Sequence, residues 1–466
     1  MREIHTPNQF VGLDSTSEII LVWERDGFPQ TDWTAFSFNG RCDVPALQAA
    51  LQQSLRVRPV FNAHLVARRR GFIKSYRWQL TQEPCRLEVR DLREMGKRPE
   101  DMEQWLQETL TPTINRTISD LAREYPVRFI LLLLPENCGI FVVVWHHAAT
   151  DGGGLYDFLR DLFSGYHRLV RGKDPDWARV AGLHAQAGKI EEVRPPRWER
   201  FLSDVFTQFI QYPPHQSAQM ISSPDERPGR NTIRYVFDDP ILQKSLRERA
   251  RRDGGTLSDL SLAAAKLALQ EWNEDRGKPP QVMHHWLAVN QRLRQTQTRT
   301  SIQNNPLIAV NIPSLPKDRK DPQALLRHVI AHRTRMLDEG YDVALHRLTK
   351  GMLWAGRIMP IGIRYPVLRL LMDHKMSFLL SNVGVVWPRI ENGRPTGETA
   401  IRQIGDMELV DVHTSIGATF NNPMGLILRT FLGRLCFTFT IGRHRISDQD
   451  AQAFTRLVVD KVMNYL

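Results

Sequence analysis

The 466-residue sequence contains few cysteines, and they lie far apart. Cys42, Cys85, Cys138 and Cys436 form no CxxC pair, which argues against a structural zinc site and against a disulfide framework. The first residues also lack the apolar run of a signal peptide. We therefore expect a cytoplasmic protein that holds no metal.

A long uninterrupted apolar run is also missing. The most apolar region, residues 353–372, contains Arg357, Pro360, Arg364, Pro366 and Arg369. Because these arginines and prolines interrupt the apolar run, we do not expect a membrane-spanning helix. Apolar side chains mixed with arginines could lie against a bilayer, so peripheral membrane contact stays open. We favour a helix packed on the protein's own core.

Positive charge is in excess but is not concentrated. The chain has 62 Lys and Arg against 51 Asp and Glu, a net charge of +11. Such an excess favours anionic partners, including a phosphate-rich co-substrate. No arginine-rich tail and no zinc-finger spacing indicates nucleic acid binding, which we do not expect.

Strand and helix signals alternate in both halves of the chain, as in an α/β (α+β) protein. Because the chain is longer than a single hydrophobic core usually supports, we predict two lobes. The N-terminal lobe is predicted to cover residues 1–171 and the C-terminal lobe residues 232–466. The proline-rich residues 172–231 would connect them, with a short helix at 201–209.

A polar loop between a strand and a helix is the most informative segment. Residues 127–134 and 140–145 are short continuous apolar runs, typical of strands buried on both faces. The nine residues HHAATDGGG, from His146 to Gly154, follow directly. Apolar residues then recur at helical spacing over residues 155–166. Further helix starts are predicted after Asp43, Thr256 and Ser447.

A histidine on such a loop can act as a general base. A neutral imidazole accepts a proton from an incoming hydroxyl or amine and returns it to a leaving thiolate. The glycines from Gly152 onward leave room for a ligand. Asp151, four residues after His147, could orient the imidazole or support the loop from behind.

Three other interpretations compete with the general base. A metal site could use His146, His147 and Asp151, but adjacent histidine side chains diverge after a strand and no third His or Cys is near in sequence. A nucleophile triad needs a GxSxG elbow or an activated cysteine, and neither is found. A structural role is usual for a single histidine, but less attractive for two that open into three glycines.

The segment resembles the HHxxxDG motif of the CoA-dependent acyltransferase superfamily. This superfamily includes nonribosomal peptide condensation domains, bacterial wax ester synthases and alcohol acetyltransferases. Other segments that resemble the family lie at residues 55–61, 254–259, 289–292, 304–306 and 381–384.

The resemblance implies roles in the motif loop. His147, the second histidine, would be the general base, with His146 in support. Asp151 would form a salt bridge with Arg292, with Arg294 as the fallback partner.

It also implies which residues surround the substrates. Gly152 would permit close passage of the thioester arm. Ser381 and Asn382, in the family's SNxG segment, would line a channel opposite His147.

The implied fold is two chloramphenicol-acetyltransferase-like lobes in a V, with a tunnel between them. A thioester donor would enter from one face and an alcohol or amine acceptor from the other. Transfer would be direct, without an acyl-enzyme and without a permanently bound cofactor.

Three hypotheses follow from these observations. The favoured one is a free-standing acyltransferase with acyl-CoA as co-substrate. The second is a condensation-like domain whose donor is bound to an acyl carrier protein, which would then be a partner. The third is a non-catalytic binding module of the same fold.

Overall fold

The computed structural model describes most of the chain. The described residues are 10–24, 30–70, 73–96, 102, 104–106, 108–110, 120–175, 177, 195–213, 216–227, 229–290, 307–360, 363, 366–367, 376–391, 394–417 and 421–466.

The strands of the described chain are numbered in sequence order. They are β1 (Phe10–Gly12), β2 (Thr31–Asn39), β3 (Ala63–Arg70), β4 (Ile73–Leu80), β5 (Leu87–Asp91), β6 (Val127–Leu134), β7 (Cys138–His146), β8 (Arg230–Phe237), β9 (Met283–Asn290), β10 (Leu307–Ser314), β11 (Phe378–Val385), β12 (Pro388–Glu391), β13 (Arg394–Thr399), β14 (Gln403–Ile404), β15 (Met407–Ser415), β16 (Met424–Phe431) and β17 (Arg434–Gly442).

The α-helices are numbered in the same way. They are α1 (Ser15–Trp23), α2 (Val44–Val57), α3 (Gly152–Val170), α4 (Trp198–Gln211), α5 (Pro240–Arg252), α6 (Leu257–Glu274), α7 (Pro322–Asp338), α8 (Tyr341–Arg357) and α9 (Asp448–Met463).

The first six-stranded sheet has the order β14-β15-β2-β7-β6-β5. Strand β7 lies between β2 and β6, and every one of its residues is buried. Helices α2 and α3 contribute Leu51 and Phe158 to the same core. Because β7 is covered on both faces, its sequence is a continuous apolar run rather than an alternating one.

The second six-stranded sheet has the order β10-β9-β11-β16-β17-β8 and a separate core. Helix α6 packs there against α9, and its alanines from Ala263 to Ala265 are fully buried. Small side chains let the two helix backbones approach closely. The two sheets with separate cores confirm the predicted two-lobe α/β architecture.

A segment from the second half of the chain returns to the first lobe. Strand β15 pairs antiparallel with β2, from Glu408 opposite Asn39 to Ser415 opposite Trp33. Ahead of it, the Trp387 ring stacks on that of Phe36, with centroids 5.0 Å apart. The returning segment therefore belongs to the first core.

This return changes how the predicted lobes should be described. The boundaries at residues 171 and 232 stay predictions. However, residues 403–415 lie inside the range predicted for the C-terminal lobe and hydrogen-bond into the first sheet. Pairing with β2 satisfies their backbone groups and buries Leu409 and Val412. The sequence analysis predicted neither β2 nor β15.

Polar contacts join the two sheets where β15 lies beside β8. Arg234 donates to both carboxylate oxygens of Asp411, at 2.6 and 2.7 Å. The Thr232 hydroxyl donates to Ser415 Oγ at 3.1 Å. Paired charges with several hydrogen bonds tolerate such burial, whereas removing one partner is costly.

The predicted helix starts are confirmed. Asp43 Oδ1 accepts from the Ala46 amide at 3.0 Å, ahead of α2. Thr256 and Asp259 form a capping box at the start of α6. Ser447 caps α9. The helix predicted at 201–209 is longer, because α4 begins at Trp198.

The apolar region 353–372 divides between buried and exposed residues. Leu353 packs with Val22, as expected for a helix on the protein's own core, whereas Trp354 and Ile358 are exposed. Residues 361–362, 364–365 and 368–375 lie outside the described residues. Across the described chain, no helix combines the length and apolarity that a membrane crossing requires.

A group of basic side chains is buried in the second lobe. The Lys266 ammonium nitrogen donates to the Ile312 carbonyl at 2.8 Å, and burial lowers the pKa of Lys266. Burial also lowers the pKa of His285, and it lowers the pKa of His332 to about 4. The folded lobe therefore favours the neutral forms of these groups.

We predict that acid destabilises this lobe before carboxylates titrate. The unfolded chain protonates its histidines below about pH 6.5, whereas folded His332 stays neutral until about pH 4. The free energy of unfolding should therefore fall as pH is lowered across that interval, by at most about 3 kcal/mol from His332. Urea unfolding over this pH range measures the slope. His332→Gln should flatten it, and an unchanged slope in that variant would contradict the assignment.

Candidate active site

The motif loop begins where β7 ends, between the ends of β2 and β6. The His146 amide donates to the Pro126 carbonyl, and the His147 amide donates to the Gln30 carbonyl, both at 2.8 Å. The backbone of both histidines is thus held by the neighbouring strands. Only short side-chain motions remain available to position a reacting group.

His146 is fully buried, and both of its ring nitrogens are occupied. Its Nε2 lies 2.8 Å from Glu24 Oε2, and its Nδ1 lies 3.1 Å from the Ala148 amide nitrogen. Since a backbone amide can only donate, Nδ1 accepts and Nε2 carries the proton that is donated to Glu24. His146 therefore anchors the loop to the region that follows α1.

His147 is partly exposed, in contrast to His146. Its ring lies beside that of Trp145, with centroids 5.3 Å apart. The side chain is thus supported on an apolar ring while part of the residue reaches solvent. This combination suits a group that must exchange protons with a substrate.

Asp151 is buried and caps the helix that follows the loop. Its Oδ1 accepts from the Gly154 amide at 2.7 Å, and α3 begins at Gly152. A β-carbon added at Gly152 would meet nothing within 4 Å, so this glycine borders open space. Arg292 and Arg294, the predicted partners of Asp151, lie outside the described residues.

A buried carboxylate that the sequence analysis missed lies beside His147. Asp32 is fully buried on β2, opposite Trp145 on β7. Directly paired residues share a face of the sheet, which places Asp32 on the side of the Trp145 and His147 rings. Burial raises the pKa of Asp32, while the positive charges of His147 and Arg230 oppose that rise.

Asp32 also contacts the segment that connects β15 to β16. Its Oδ1 accepts from the Gly417 amide at 2.5 Å. A β-carbon at Gly417 would lie 3.3 Å from Gln30 Oε1 and 3.5 Å from Asp32 Oδ1. A larger side chain here would require Gln30 to shift by a few tenths of an ångström, because the backbone passes close to β2.

Arg230 brings the second sheet to the same place. At the start of β8, its guanidinium donates to the Thr31 carbonyl and, at 2.5 Å, to the Ile416 carbonyl. Burial lowers the pKa of Arg230, while Asp32 opposes that change. Asp32 and His147 therefore lie where the two lobes meet.

The composition of β2 could have indicated Asp32. Residues 31–38 contain two threonines, a tryptophan and two phenylalanines, residue types that are enriched in strands. A carboxylate within such a segment marks a position worth testing.

The two predicted substrate residues lie on β11, at the centre of the second sheet. Ser381 is half-buried, between the buried Leu380 and the exposed Asn382. The Asn382 amide donates to Ser258 Oγ, at the start of α6, at 2.8 Å. Asn382 thus braces β11 against that helix, and its predicted contact with substrate remains a prediction. Residues 304–306, another segment that resembles the acyltransferase superfamily, lie outside the described residues.

The described residues of this region contain no cluster of side chains that could bind a metal ion. Within the described ranges, no three His, Cys, Asp or Glu side chains lie close enough together to hold an ion. The second histidine pair, His284 and His285, is buried in the other lobe. The expectation of no bound metal stays a prediction.

Comparison with known proteins agrees with this architecture. A probable non-canonical nonribosomal peptide synthetase, CymA of Salinispora arenicola, is 29% identical over 236 residues, which make up 48% of this chain. The chain spans about 3% of that relative's length.

Two solved structures share the fold over nearly the whole chain. The trichothecene 15-O-acetyltransferase TRI3 of Fusarium sporotrichioides has a TM-score of 0.69 at 10% identity, covering 100% of this chain and 97% of that one. The starter condensation domain of rhizomide synthetase, solved with C8-CoA and Leu-SNAC, has a TM-score of 0.64 at 12% identity, covering 98% and 94%. At these identities the likeness establishes the fold.

The family itself is established by sequence. The model of the condensation domain family matches residues 33–277, which include most of β2, the motif loop and α6. This match covers more than half of the 466 residues. The chain belongs to the condensation domain family of acyltransferase-type proteins.

Proposed function

We propose that this protein transfers an acyl group from a thioester to a hydroxyl or amine, with His147 as general base. The observation that supports this most is the position of His147. It is a partly exposed imidazole beside the buried Asp32, where Arg230 and Gly417 bring the second lobe against the first.

The proposed reaction needs one base and no covalent enzyme intermediate. His147 accepts the proton as the acceptor oxygen or nitrogen attacks the thioester carbonyl carbon. The tetrahedral intermediate collapses, the carbon–sulfur bond breaks, and the leaving thiolate takes the proton from the imidazolium. Holding both substrates at one place would supply much of the rate, since effective molarities can reach ~10⁵ M.

Asp32 would stabilise the imidazolium that forms during transfer. Burial favours the neutral form of a carboxylate, but a positive neighbour favours the ionised form. His147 becomes that neighbour as soon as it accepts a proton. The negative charge of Asp32 and the positive charge that forms on His147 would then favour each other.

Acyl-CoA is the favoured donor. The net charge of +11 suits a phosphate-rich co-substrate, and the similar starter condensation domain was solved with C8-CoA. Ser381 and Asn382 would line the channel opposite His147, and Gly152 would border the thioester arm. No permanently bound cofactor is part of the proposal.

A donor held on a carrier protein is the second candidate. The family match and the similarity to a nonribosomal peptide synthetase favour it. Mass spectrometry of products from acyl-CoAs and acyl-carrier thioesters, each with a panel of alcohols and amines, separates the donors. Absence of a product from both donors would favour the third alternative, a non-catalytic binding module.

His147→Ala should lower the rate of acyl transfer by about 10²–10⁴-fold, the usual contribution of a general base. The urea midpoint should be unchanged, because the ring is partly exposed. His328→Ala, which removes a histidine of α7 in the other lobe, is the matched control and should retain activity. Full activity of His147→Ala would overturn the general-base role.

Asp151 has two separable contributions to stability. Its observed cap should be worth about 1 kcal/mol, and its proposed ion pair with Arg292 about 3–5 kcal/mol. Asparagine keeps the capping oxygen but removes the charge. We therefore expect Asp151→Asn to lose the ion-pair contribution and Asp151→Ala to lose about 1 kcal/mol more. Wild-type stability of Asp151→Asn, measured by urea unfolding, would exclude the ion pair.

Asp32→Asn should lower kcat about tenfold or more and leave KM largely unchanged, since it removes a charge needed only once His147 is protonated. Asp406→Asn removes an exposed carboxylate from the turn between β14 and β15, away from His147, and serves as the control. An unchanged kcat in Asp32→Asn would rule out this role.

A further inference from the structure

Helix α4 exposes most of its apolar side chains. Its large exposed apolar residues are Trp198, Leu202, Phe206, Phe209 and Ile210. At 3.6 residues per turn these positions span one arc, about a third of the helix circumference, and Glu199, in the first turn, also lies within it. A contiguous apolar face of this kind marks an interaction site.

The other side of α4 is fixed to the protein. Phe201 is buried, with its ring 5.7 Å from that of Tyr341 on α8. Asp204 accepts from Arg335 at 3.1 Å, and Arg200 pairs with Glu339 at 2.7 Å. Because ion pairs hold the polar side inward, the apolar arc is held facing outward.

Helix α8 adds a second exposed stripe next to this anchor. Arg347, Lys350, Trp354 and Ile358 follow one another at spacings of three or four residues, so they share one side of the helix, and all four are exposed. Positive charge and an aromatic ring thus lie together on one surface. The two helices meet where the Phe201 ring contacts that of Tyr341, and we call their two exposed faces together the α4–α8 surface.

We propose that the α4–α8 surface docks on an anionic lipid membrane. Aromatic and aliphatic side chains on an amphipathic helix enter the boundary between headgroups and acyl chains, while Lys and Arg bind lipid phosphates. The net charge of +11 attracts the whole molecule to such a surface. Docking leaves the helix in the plane of the interface, in agreement with the lack of a spanning helix in the described chain.

Charge favours lipid over a second copy of the chain. A two-fold symmetric dimer through this surface would place Arg347 and Lys350 of both copies in the same interface. Like charges placed opposite each other destabilise such an interface. An anionic membrane instead offers them phosphate groups. The proposal is independent of the proposed acyl transfer.

Co-sedimentation of the purified full chain with two kinds of vesicle tests the proposal. One kind is phosphatidylcholine, and the other contains about one third phosphatidylglycerol. We expect binding to the anionic vesicles that weakens with added salt. The double variant Phe206→Ser with Ile210→Ser should reduce binding about tenfold or more. Arg347→Gln with Lys350→Gln should reduce the difference between the two vesicles.

The control variant changes an equally exposed residue elsewhere. Ile241→Ser, on α5, should bind vesicles like the wild type. Urea midpoints of all variants should match, since the substituted side chains are exposed. Wild-type vesicle binding by Phe206→Ser with Ile210→Ser would overturn the proposal, as would no binding to either vesicle. A dimer that this variant dissociates, without lipid binding, would assign the surface to a second copy.

Discussion

The pairing of β15 with β2 is the constraint on which the candidate site depends. It places β15, a strand from the second half of the chain, directly beside β2 in the first sheet. The connection that follows then reaches Asp32 through Gly417, and Arg230 closes the junction from β8. Without this pairing, the groups beside His147 would belong to separate lobes. Its hydrogen bonds and buried Leu409 and Val412 supply the stability that keeps them together.

The two histidines of the motif have different environments, and the difference has a physical cause. His146 faces the interior, where both ring nitrogens have partners and the proton has a defined place. His147 is one residue further along and turns to the other side, towards Asp32 and partial exposure. Alternation at the end of a strand therefore separates an anchoring imidazole from the proposed general base. Asp151, at the start of α3, holds the other end of the loop by capping.

Two parts of the molecule bury charged or titratable side chains. The inter-lobe junction buries Asp411, but Arg234 supplies two hydrogen bonds to it. The second lobe buries Lys266 and His285, and this burial lowers the pKa values of both groups. By contrast, the α4–α8 surface leaves apolar groups exposed and keeps its charges next to them. Buried polar groups need hydrogen-bonding partners inside the protein. A contiguous exposed apolar face marks an interaction site, and lipid is the partner that we propose for the α4–α8 surface.

Local patterns in the sequence determined most of the elements and the motif loop. The apolar runs of β6 and β7, the caps at Asp43, Thr256 and Ser447, and the helical spacing of α3 depend on interactions between residues close in sequence. The HHAATDGGG segment was located for the same reason, and the two lobes followed from chain length and alternation. What the tertiary structure decided was pairing at a distance. The position of β15 in the first sheet, the contact of Asp32 with Gly417, and the outward face of α4 each depend on residues far apart in the chain. Sequence periodicity tells which side of an element is apolar, but only the packed fold tells what covers that side.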